Sequence, residues 1–241
     1  MMKIADFNGI YVEHDLKDCY IIASTFRSGS TFVSELLNKN NIPGLGDERF
    51  NIIGDQPHAE LEPYVRKMFE PFRGRAFATK LMWPHRNDVA RIFSINRNNS
   101  ALFQDLFPNA KWIFVEREDI FAQAISMWRA KTSGRWHIYD TNTTPEPAID
   151  YDFEAIDDCL WELSLHNRLW RDFFCLSGIA PFTVKYEELL EDVPATLSRL
   201  LDFLGHDVPD QVTHVPLLKQ SDALSDAFRS RLMDDLFSIG R

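Results

Sequence analysis

The chain has 241 residues, 45% of them hydrophobic, which suits one α/β domain with a sizeable core better than two domains. Its formal net charge of −10 at pH 7 argues against a protein whose whole surface binds nucleic acid or an anionic membrane, so an anionic ligand would need a local basic pocket. Three cysteines without paired spacing predict reduced thiols in a cytoplasmic protein, and we expect neither a signal peptide nor a transmembrane segment.

Short apolar segments alternate with helical patterns along the chain. The first segment, Cys19–Ser24, breaks at a polar loop and predicts a buried parallel strand. From Ser30, apolar residues recur at helical spacing, which predicts a helix that ends near residue 40. Further strands are predicted over residues 76–82, 111–115 and 182–185. Further helices are predicted from residue 120 and over residues 153–174, 194–204 and 222–237.

This alternation predicts an α/β fold in which helices flank a central parallel sheet, with ligands at the carboxyl ends of the strands. Two segments interrupt the pattern, near residues 41–73 and 133–152. Both are long for connections in a compact domain, so we interpret them as substrate lids or dimer surfaces inserted into a single domain over residues 1–241.

The loop after the first predicted strand is rich in groups that bind phosphate. It reads Arg-Ser-Gly-Ser-Thr and directly precedes a predicted helix, whose first turn offers unpaired N–H groups. Gly29 lets the backbone approach a ligand closely, and Arg27 adds a permanent positive charge. Hydroxyl donors come from Ser28, Ser30 and Thr31. The alternative is that this run is only a polar helix cap.

The loop departs from the Walker A pattern GxxxxGK[ST]. Ser24 and Ser30 stand in place of the first Gly and the Lys, and the cation is Arg27 instead. The third predicted strand runs to Glu116, but Arg117 follows and would compete with magnesium there. A small-molecule kinase is therefore disfavoured, although it remains an alternative, as does a non-catalytic nucleotide-binding protein.

Several motifs along the chain belong with this loop: SGST at 28–31, a Gly-containing turn before Glu48, KLMW at 80–83, QAISxWRA at 123–130, Trp136 and KQSDxxSD at 219–226. In these motifs the chain resembles sulfotransferases, and one branch in particular: the bacterial trehalose 2-sulfotransferase family, related to the nodulation and lipopolysaccharide carbohydrate sulfotransferases. One departure is Phe26, which stands where many sulfotransferases carry Pro.

This resemblance implies a P-loop-like three-layer α/β sandwich with 3′-phosphoadenosine-5′-phosphosulfate (PAPS) as co-substrate and no metal. A carbohydrate or glycolipid hydroxyl would attack sulfur in line. Arg27 and the loop residues 28–31 would hold the 5′-phosphosulfate, and Arg27 would also stabilise the transition state. Relatives form homodimers, so we expect one here, and we expect no nucleic-acid partner.

A second anion site is predicted at Arg117 and Ser126. Arg117 follows a strand and Ser126 lies nine residues later on a helix, so the two can converge on one anion. The alternative is a surface ion pair, for instance between Arg117 and Asp119. The resemblance favours the 3′-phosphate of the donor as the ligand, with Lys219 as a third contact; the alternative for Lys219 is a solvated charge.

Two residues compete for the role of general base. Glu48 matches the proposed catalytic Glu of the trehalose-sulfating relatives, although the neighbouring Asp47 makes the assignment ambiguous by one position. His85 follows the second predicted strand and is the other candidate. An upstream Glu of the family is replaced here by Leu45, so we do not assume trehalose as the acceptor.

Aromatic and imidazole side chains are candidates for acceptor binding, namely Trp83, His85 and Trp136. Trp136 lies in a polar segment, which favours contact with a sugar. For Trp83 the alternative is core packing. For Trp128 core packing is favoured, because it lies at helical spacing from Ala124.

Overall fold

The computed structural model describes residues 2–42, 47–93, 101–107, 109–136, 149–209, 213 and 223–239. In this part of the chain four parallel strands form one sheet in the spatial order β2-β1-β3-β4. The strands are β1 (Cys19–Ser24), β2 (Phe77–Met82), β3 (Lys111–Glu116) and β4 (Phe182–Lys185). Each lies within one residue of its predicted bounds, and the α/β fold with a parallel sheet flanked by helices is confirmed.

Helices connect the strands. They are α1 (Ile4–Glu13), α2 (Ser30–Lys39), α3 (Leu61–Phe69), α4 (Trp83–Ile92), α5 (Ala101–Leu106), α6 (Ile120–Ser133), α7 (Phe153–Ser177), α8 (Tyr186–Glu191), α9 (Val193–Leu204) and α10 (Ala223–Ile239). The predicted helices are confirmed with small shifts at their ends. The other helices, α1, α3, α4, α5 and α8, were not predicted. Helix α3 falls within residues 41–73, where Val65 and Phe69 are fully buried, so this part of the segment belongs to the core.

Two separate hydrophobic clusters stabilise the domain. The main cluster is built from the strands and most of the helices, and the indole of Trp170 on α7 is fully buried in it. The small cluster joins α6, the first half of α7 and α10. Its buried members are Ala124, Ile125, Met127, Trp128, Ile149, Ile156, Cys159, Leu163, Phe228 and Leu232. All three cysteines carry free thiols.

The strand order creates a crevice at the carboxyl ends of the strands. The chain leaves β1 towards β2 on one side and leaves β3 towards β4 on the other. Connections that diverge from adjacent parallel strands mark the usual ligand site of an open α/β sheet. Ser24, the last residue of β1, pairs with Met82 and Val115, so the segments after all three strands meet at this edge. Among the described helices, none combines the length and apolar character needed to cross a bilayer.

Candidate active site

The loop after β1 presents an open helix N-terminus. Gly29 is the N-cap of α2 with a φ of 92°, and no side chain caps the helix there. A Cβ at this position would overlap the ring of Tyr186, so only glycine fits. Ser28 beside it is fully buried, and its Oγ has no hydrogen-bond partner. An orphaned hydroxyl next to free helical N–H groups fits a bound anion.

Polar side chains from two distant helices hold this loop in place. Gln123 of α6 donates to Thr25 Oγ1 over 2.9 Å and to the Phe26 carbonyl over 2.7 Å. Thr25 Oγ1 donates to Asn167 Oδ1 of α7 over 3.2 Å. These buried contacts were not predicted. The signal in the sequence is an amide side chain on the apolar side of each helix: Gln123 stands beside Ala124, and Asn167 lies at helical spacing from Leu163 and Trp170.

Arg27 turns towards α6 rather than standing alone in the loop. Its Nε donates to Ser126 Oγ over 2.9 Å, and its Nη1 donates to the Trp136 carbonyl. Burial lowers the pKa of Arg27, and repulsion from Arg117 and Arg129 lowers this pKa further. Arg27 therefore contacts the Ser126 hydroxyl within the positive field of two further guanidinium groups. The sequence predicted Ser126 beside Arg117 and did not predict its contact with Arg27.

Arg117 faces the same crevice from the end of β3. Its side chain is 19% exposed, and its Nε is buried without a hydrogen-bond partner. Glu187 Oε1 lies 3.9 Å from that Nε, but this carboxylate already accepts the backbone N–H groups of Glu118 and Asp119. The surface pair with Asp119, considered as an alternative, is not formed, because Asp119 caps α6 and lies 3.4 Å from Arg229. The third predicted contact, Lys219, lies outside the described residues.

Both candidate bases lie at one place, beside a buried lysine. Glu48 Oε1 is 3.4 Å from Lys80 Nζ, and Glu48 Oε2 is 3.9 Å from His85 Nδ1. Lys80 Nζ donates to Thr31 Oγ1 over 3.2 Å, which links this group to the first turn of α2. The carboxylate of Asp47 is 67% exposed and pairs with Arg49 instead. Of the two neighbouring acids, Glu48 is therefore the one that faces the loop.

The surroundings of His85 favour its neutral imidazole. Burial lowers its pKa below the usual 6.5, the charge of Lys80 lowers it further, and the carboxylates of Glu48 and Asp88 oppose the shift. Its Nδ1 is buried and has no hydrogen-bond partner. A neutral imidazole and a carboxylate in contact give the site two groups that can accept a proton.

The aromatic candidates differ in their surroundings. Trp83 is 7% exposed and packs edge-on against Trp170, with 5.0 Å between ring centroids, so the structure favours core packing for it. Trp128 packs against Phe228 in the small cluster, as predicted. Trp136 is half-buried and lies 5.6 Å from the half-buried ring of Phe26. The sugar-stacking role of Trp136 stays a prediction.

The arrangement joins a cationic crevice to a proton acceptor. Open N–H groups and guanidinium groups can bind an anionic donor, while Glu48 and His85 stand where a hydroxyl could lose its proton. In the part of the chain that the structure describes, no three His, Cys, Asp or Glu side chains are grouped as metal ligands would be. The fold and the site together fit the class of α/β enzymes that bind an anionic ligand at the carboxyl ends of their strands.

Comparison with known proteins gives the family. The family model described as Stf0 sulphotransferase matches residues 72–235, about two thirds of the chain. The chain belongs to this family and is a sulfotransferase. The loop at residues 27–31 and Glu48 precede the matched range.

Two curated relatives and one solved structure extend the comparison. Trehalose 2-sulfotransferases from Mycobacterium tuberculosis and Mycolicibacterium smegmatis are 24% and 23% identical to this chain, and each match covers 92% of the chain and 96% of the relative. The crystal structure of a sulfotransferase from Alicyclobacillus acidocaldarius has a TM-score of 0.52 at 16% identity, and the match covers 90% of this chain and 95% of that one. The likeness to this solved structure supports the fold.

Proposed function

We propose that the protein transfers the sulfuryl group of PAPS to a hydroxyl of a carbohydrate or glycolipid. The observation that carries the donor assignment is the buried Nε of Arg117, which has no hydrogen-bond partner. Its guanidinium lies 5.1 Å from the centroid of the Tyr186 ring, and that ring packs against Gly29 at the open N-terminus of α2. We take Arg117 and the N-terminus of α2 as two neighbouring anion-binding places. A nucleotide with a 3′-phosphate and a 5′-phosphosulfate uses both of them, whereas ATP has no group for the first.

Each end of the donor has its own set of proposed ligands. At the 5′ end, the N–H groups of the α2 N-terminus and the hydroxyls of Ser28 and Thr31 bind the phosphosulfate. At the 3′ end, Arg117 and Ser126 bind the phosphate. Arg27, which the sequence analysis placed at the 5′ end, contacts Ser126 and contributes to the 3′ end instead. Because the charge of Arg117 repels that of Arg27, a phosphate that contacts both guanidiniums relieves an electrostatic cost as well as adding charge-assisted hydrogen bonds.

Glu48 is the proposed general base. The acceptor oxygen forms a bond to sulfur while the bond from sulfur to the bridging oxygen of the 5′-phosphate breaks, and the leaving oxygen keeps the electron pair. Glu48 takes the proton that the hydroxyl loses. The loop N–H groups stabilise the negative charge that spreads over the sulfuryl oxygens. His85, neutral and in contact with Glu48, lies where it can bind the acceptor.

The acceptor class rests on two observations. Both curated relatives are named for sulfation of trehalose, a disaccharide. The rings of Phe26 and Trp136 are half-buried beside the loop, and a partly open aromatic pair suits the apolar face of a sugar. We therefore expect a carbohydrate acceptor, with trehalose as the first compound to test, and we retain the expectation of a homodimer.

A transfer assay tests this proposal. The protein is incubated with PAPS labelled with ³⁵S and a panel of trehalose, other disaccharides, glycolipids and lipopolysaccharide sugars, and products are identified by mass spectrometry. We expect a product that is heavier by one sulfuryl group with the native protein and far less with Glu48→Gln. Adenosine 5′-phosphosulfate, which lacks the 3′-phosphate, should be a poor donor. Binding of adenosine 3′,5′-bisphosphate without transfer to any acceptor would instead support a non-catalytic nucleotide-binding protein.

A further inference from the structure

Four carboxylates lie on the segment that carries Arg117 or contact it. Three of them pair with a cation of their own. These pairs are Glu116 with Arg171 at 2.6 Å, Glu118 with Lys185 at 2.9 Å and Asp119 with Arg229 at 3.4 Å. The fourth carboxylate belongs to Glu187, and among the described residues the one cation that pairs with it is Arg117, at 3.9 Å. The charge of Glu187 is therefore balanced only by the guanidinium that we assign to the 3′-phosphate.

Backbone hydrogen bonds fix the carboxylate of Glu187 in place. The residue lies in the first turn of α8, directly after β4, and its side chain is 33% exposed. Its Oε2 accepts from the N–H of Glu118 over 3.0 Å, and its Oε1 accepts from the N–H of Asp119 over 3.2 Å. The carboxylate would have to break both bonds to move away from Arg117, and each bond to a charged group has a substantial free energy.

The pairing between Glu187 and Arg117 is close but incomplete. The 3.9 Å between Glu187 Oε1 and Arg117 Nε exceeds the length of a hydrogen bond, and the buried Nε has no hydrogen-bond partner. The Tyr186 ring lies against the same guanidinium, 5.1 Å from its central carbon. Arg117 is thus held in position while its Nε stays available to an anion.

An anion that binds Arg117 also meets the charge of Glu187. The phosphate gains charge-assisted hydrogen bonds from the guanidinium, but it shares that guanidinium with a carboxylate that cannot move away. Like charges in such an arrangement repel and lower the affinity. PAPS and its product, adenosine 3′,5′-bisphosphate, both carry the 3′-phosphate, so both are bound less tightly. Only the product has to leave before the next turnover, and product release limits the rate of many enzymes.

We propose that Glu187 competes with the 3′-phosphate of the nucleotide for Arg117 and thereby shortens the residence time of the bisphosphate product. This inference rests on the proposed function, in which Arg117 binds that phosphate. Glu187 is a positioning residue that acts through Arg117 and takes no part in the bond changes at sulfur. A residue that only held the turn after β3 in shape would have the opposite effect, because its loss would weaken nucleotide binding.

Binding gives the first test, because the two roles predict changes of opposite sign. Glu187→Gln keeps the size of the side chain and an oxygen that accepts a backbone N–H, but it removes the charge. Isothermal titration should show that this variant binds adenosine 3′,5′-bisphosphate about three- to tenfold more tightly than the native protein. Its affinity for AMP, which has no 3′-phosphate, should change by less than about twofold. The matched control is Glu188→Gln, since Glu188 lies on the same helix and pairs with Lys185, and it should bind both nucleotides as the native protein does.

Kinetics gives the second test. In stopped-flow displacement, the bisphosphate should dissociate about three- to tenfold more slowly from Glu187→Gln, and its inhibition constant in the transfer assay should fall by the same factor. If Glu187→Gln does not fold, Glu187→Asn and Glu187→Asp are compared with each other, since they are equal in size and differ in charge. The Asn variant should then bind the bisphosphate at least about threefold more tightly than the Asp variant.

The outcomes separate this inference from the proposed function. Native protein that neither binds the bisphosphate nor transfers sulfate overturns both. Native protein that does both, while Glu187→Gln binds the bisphosphate equally or more weakly, overturns only the role of Glu187. Tighter binding of AMP and the bisphosphate alike would also overturn that role, because the effect would not lie at the 3′-phosphate.

Discussion

The indole Nε1 of Trp170 donates a hydrogen bond of 2.9 Å to the carbonyl of Ser24, which is the last residue of β1. Both groups are buried, and the bond joins the long helix α7 to the strand end from which the proposed anion-binding loop starts. The hydrogen bond therefore couples the position of the loop to the packing of the aromatic core. Substitutions in that core should change the affinity for the donor.

Trp170→Phe tests this connection. The variant keeps an aromatic ring but leaves a buried carbonyl unsatisfied, so we expect a loss of about 1–3 kcal/mol in the free energy of unfolding. Donor affinity should fall as well, because the loop loses its anchor. Urea denaturation and titration with adenosine 3′,5′-bisphosphate measure the two effects. Trp161→Phe is the control, since Trp161 lies on the same helix with 72% of its surface exposed, and unchanged stability in Trp170→Phe would refute the connection.

Gly29→Ala should abolish tight donor binding. The residue has a left-handed φ, which costs a residue with a Cβ about 1–2 kcal/mol, and the added methyl would also overlap the Tyr186 ring. Gly134→Ala is the matched control, because Gly134 has a φ of +71° but nothing within 4 Å of an added Cβ. Thermal shift with adenosine 3′,5′-bisphosphate should be lost only in Gly29→Ala. Loss of the thermal shift in both variants would mean that the backbone angle alone matters, and its retention in Gly29→Ala would contradict the prediction.

Glu48→Gln should lower kcat by about 10²–10⁴-fold, because the amide cannot accept the proton of the acceptor. Binding of the bisphosphate should stay the same, since the carboxylate is absent from the proposed nucleotide contacts. His85→Asn provides the comparison, and we expect a smaller loss of kcat from it. If His85→Asn were the slower enzyme, the imidazole rather than the carboxylate would be the base.

Arg117→Ala should weaken binding of adenosine 3′,5′-bisphosphate by about 10- to 100-fold, the usual value of a hydrogen bond to a charged group. AMP should bind the variant and the native protein alike, because it has no 3′-phosphate. Arg168→Ala is a suitable control, since Arg168 is 73% exposed and pairs only with Asp172 on its own helix among its described contacts. A parallel loss for AMP would show that Arg117 does not read the 3′-phosphate.

His85 should make the protein less stable in mild acid. Its pKa is lowered in the folded state, chiefly by burial, so between that value and 6.5 the unfolded chain binds the proton more readily. The stability that the neutral imidazole contributes is complete above pH 6.5 and is lost as the pH falls through the folded pKa. His85→Asn should therefore lose less free energy of unfolding than the native protein between pH 7.5 and 5.5. Identical pH dependence of the two proteins would contradict a buried neutral His85.

Much of the fold could be predicted because the strands are short apolar runs bounded by polar residues. Helices such as α1 and α4 were harder: α1 contains Gly9, and α4 is polar overall yet buries Arg86 among aromatic rings. Both helices are stabilised by packing against segments that are distant in sequence, and the local residue pattern does not indicate this packing.

The sequence predicted most residues of the candidate site but not the contacts between them. The loop, Arg117, Ser126 and Glu48 were all singled out, yet the contact of Arg27 with Ser126 depends on a left-handed backbone angle of 61° at Arg27. The meeting of Glu48 with His85 depends on a backbone hydrogen bond from Lys80 to Asp47, formed between distant segments. The sequence does mark Lys80 as unusual, because it is the one charged residue in the strand segment Phe77–Met82.

Each of the two hydrophobic clusters supports part of the crevice. Ser126 belongs to α6, whose apolar side packs in the small cluster with α10, whereas Lys80 belongs to a strand of the main core. The α6 side of the proposed nucleotide site thus rests on the small cluster, whereas the loop after β1 and Arg117 are carried, like Lys80, by strands of the main cluster. Repacking beneath α10 should therefore shift Ser126 and change donor affinity while Glu48 and His85 keep their positions, so that an evolving enzyme of this kind could retune its hold on the donor from outside the core that carries the proposed base.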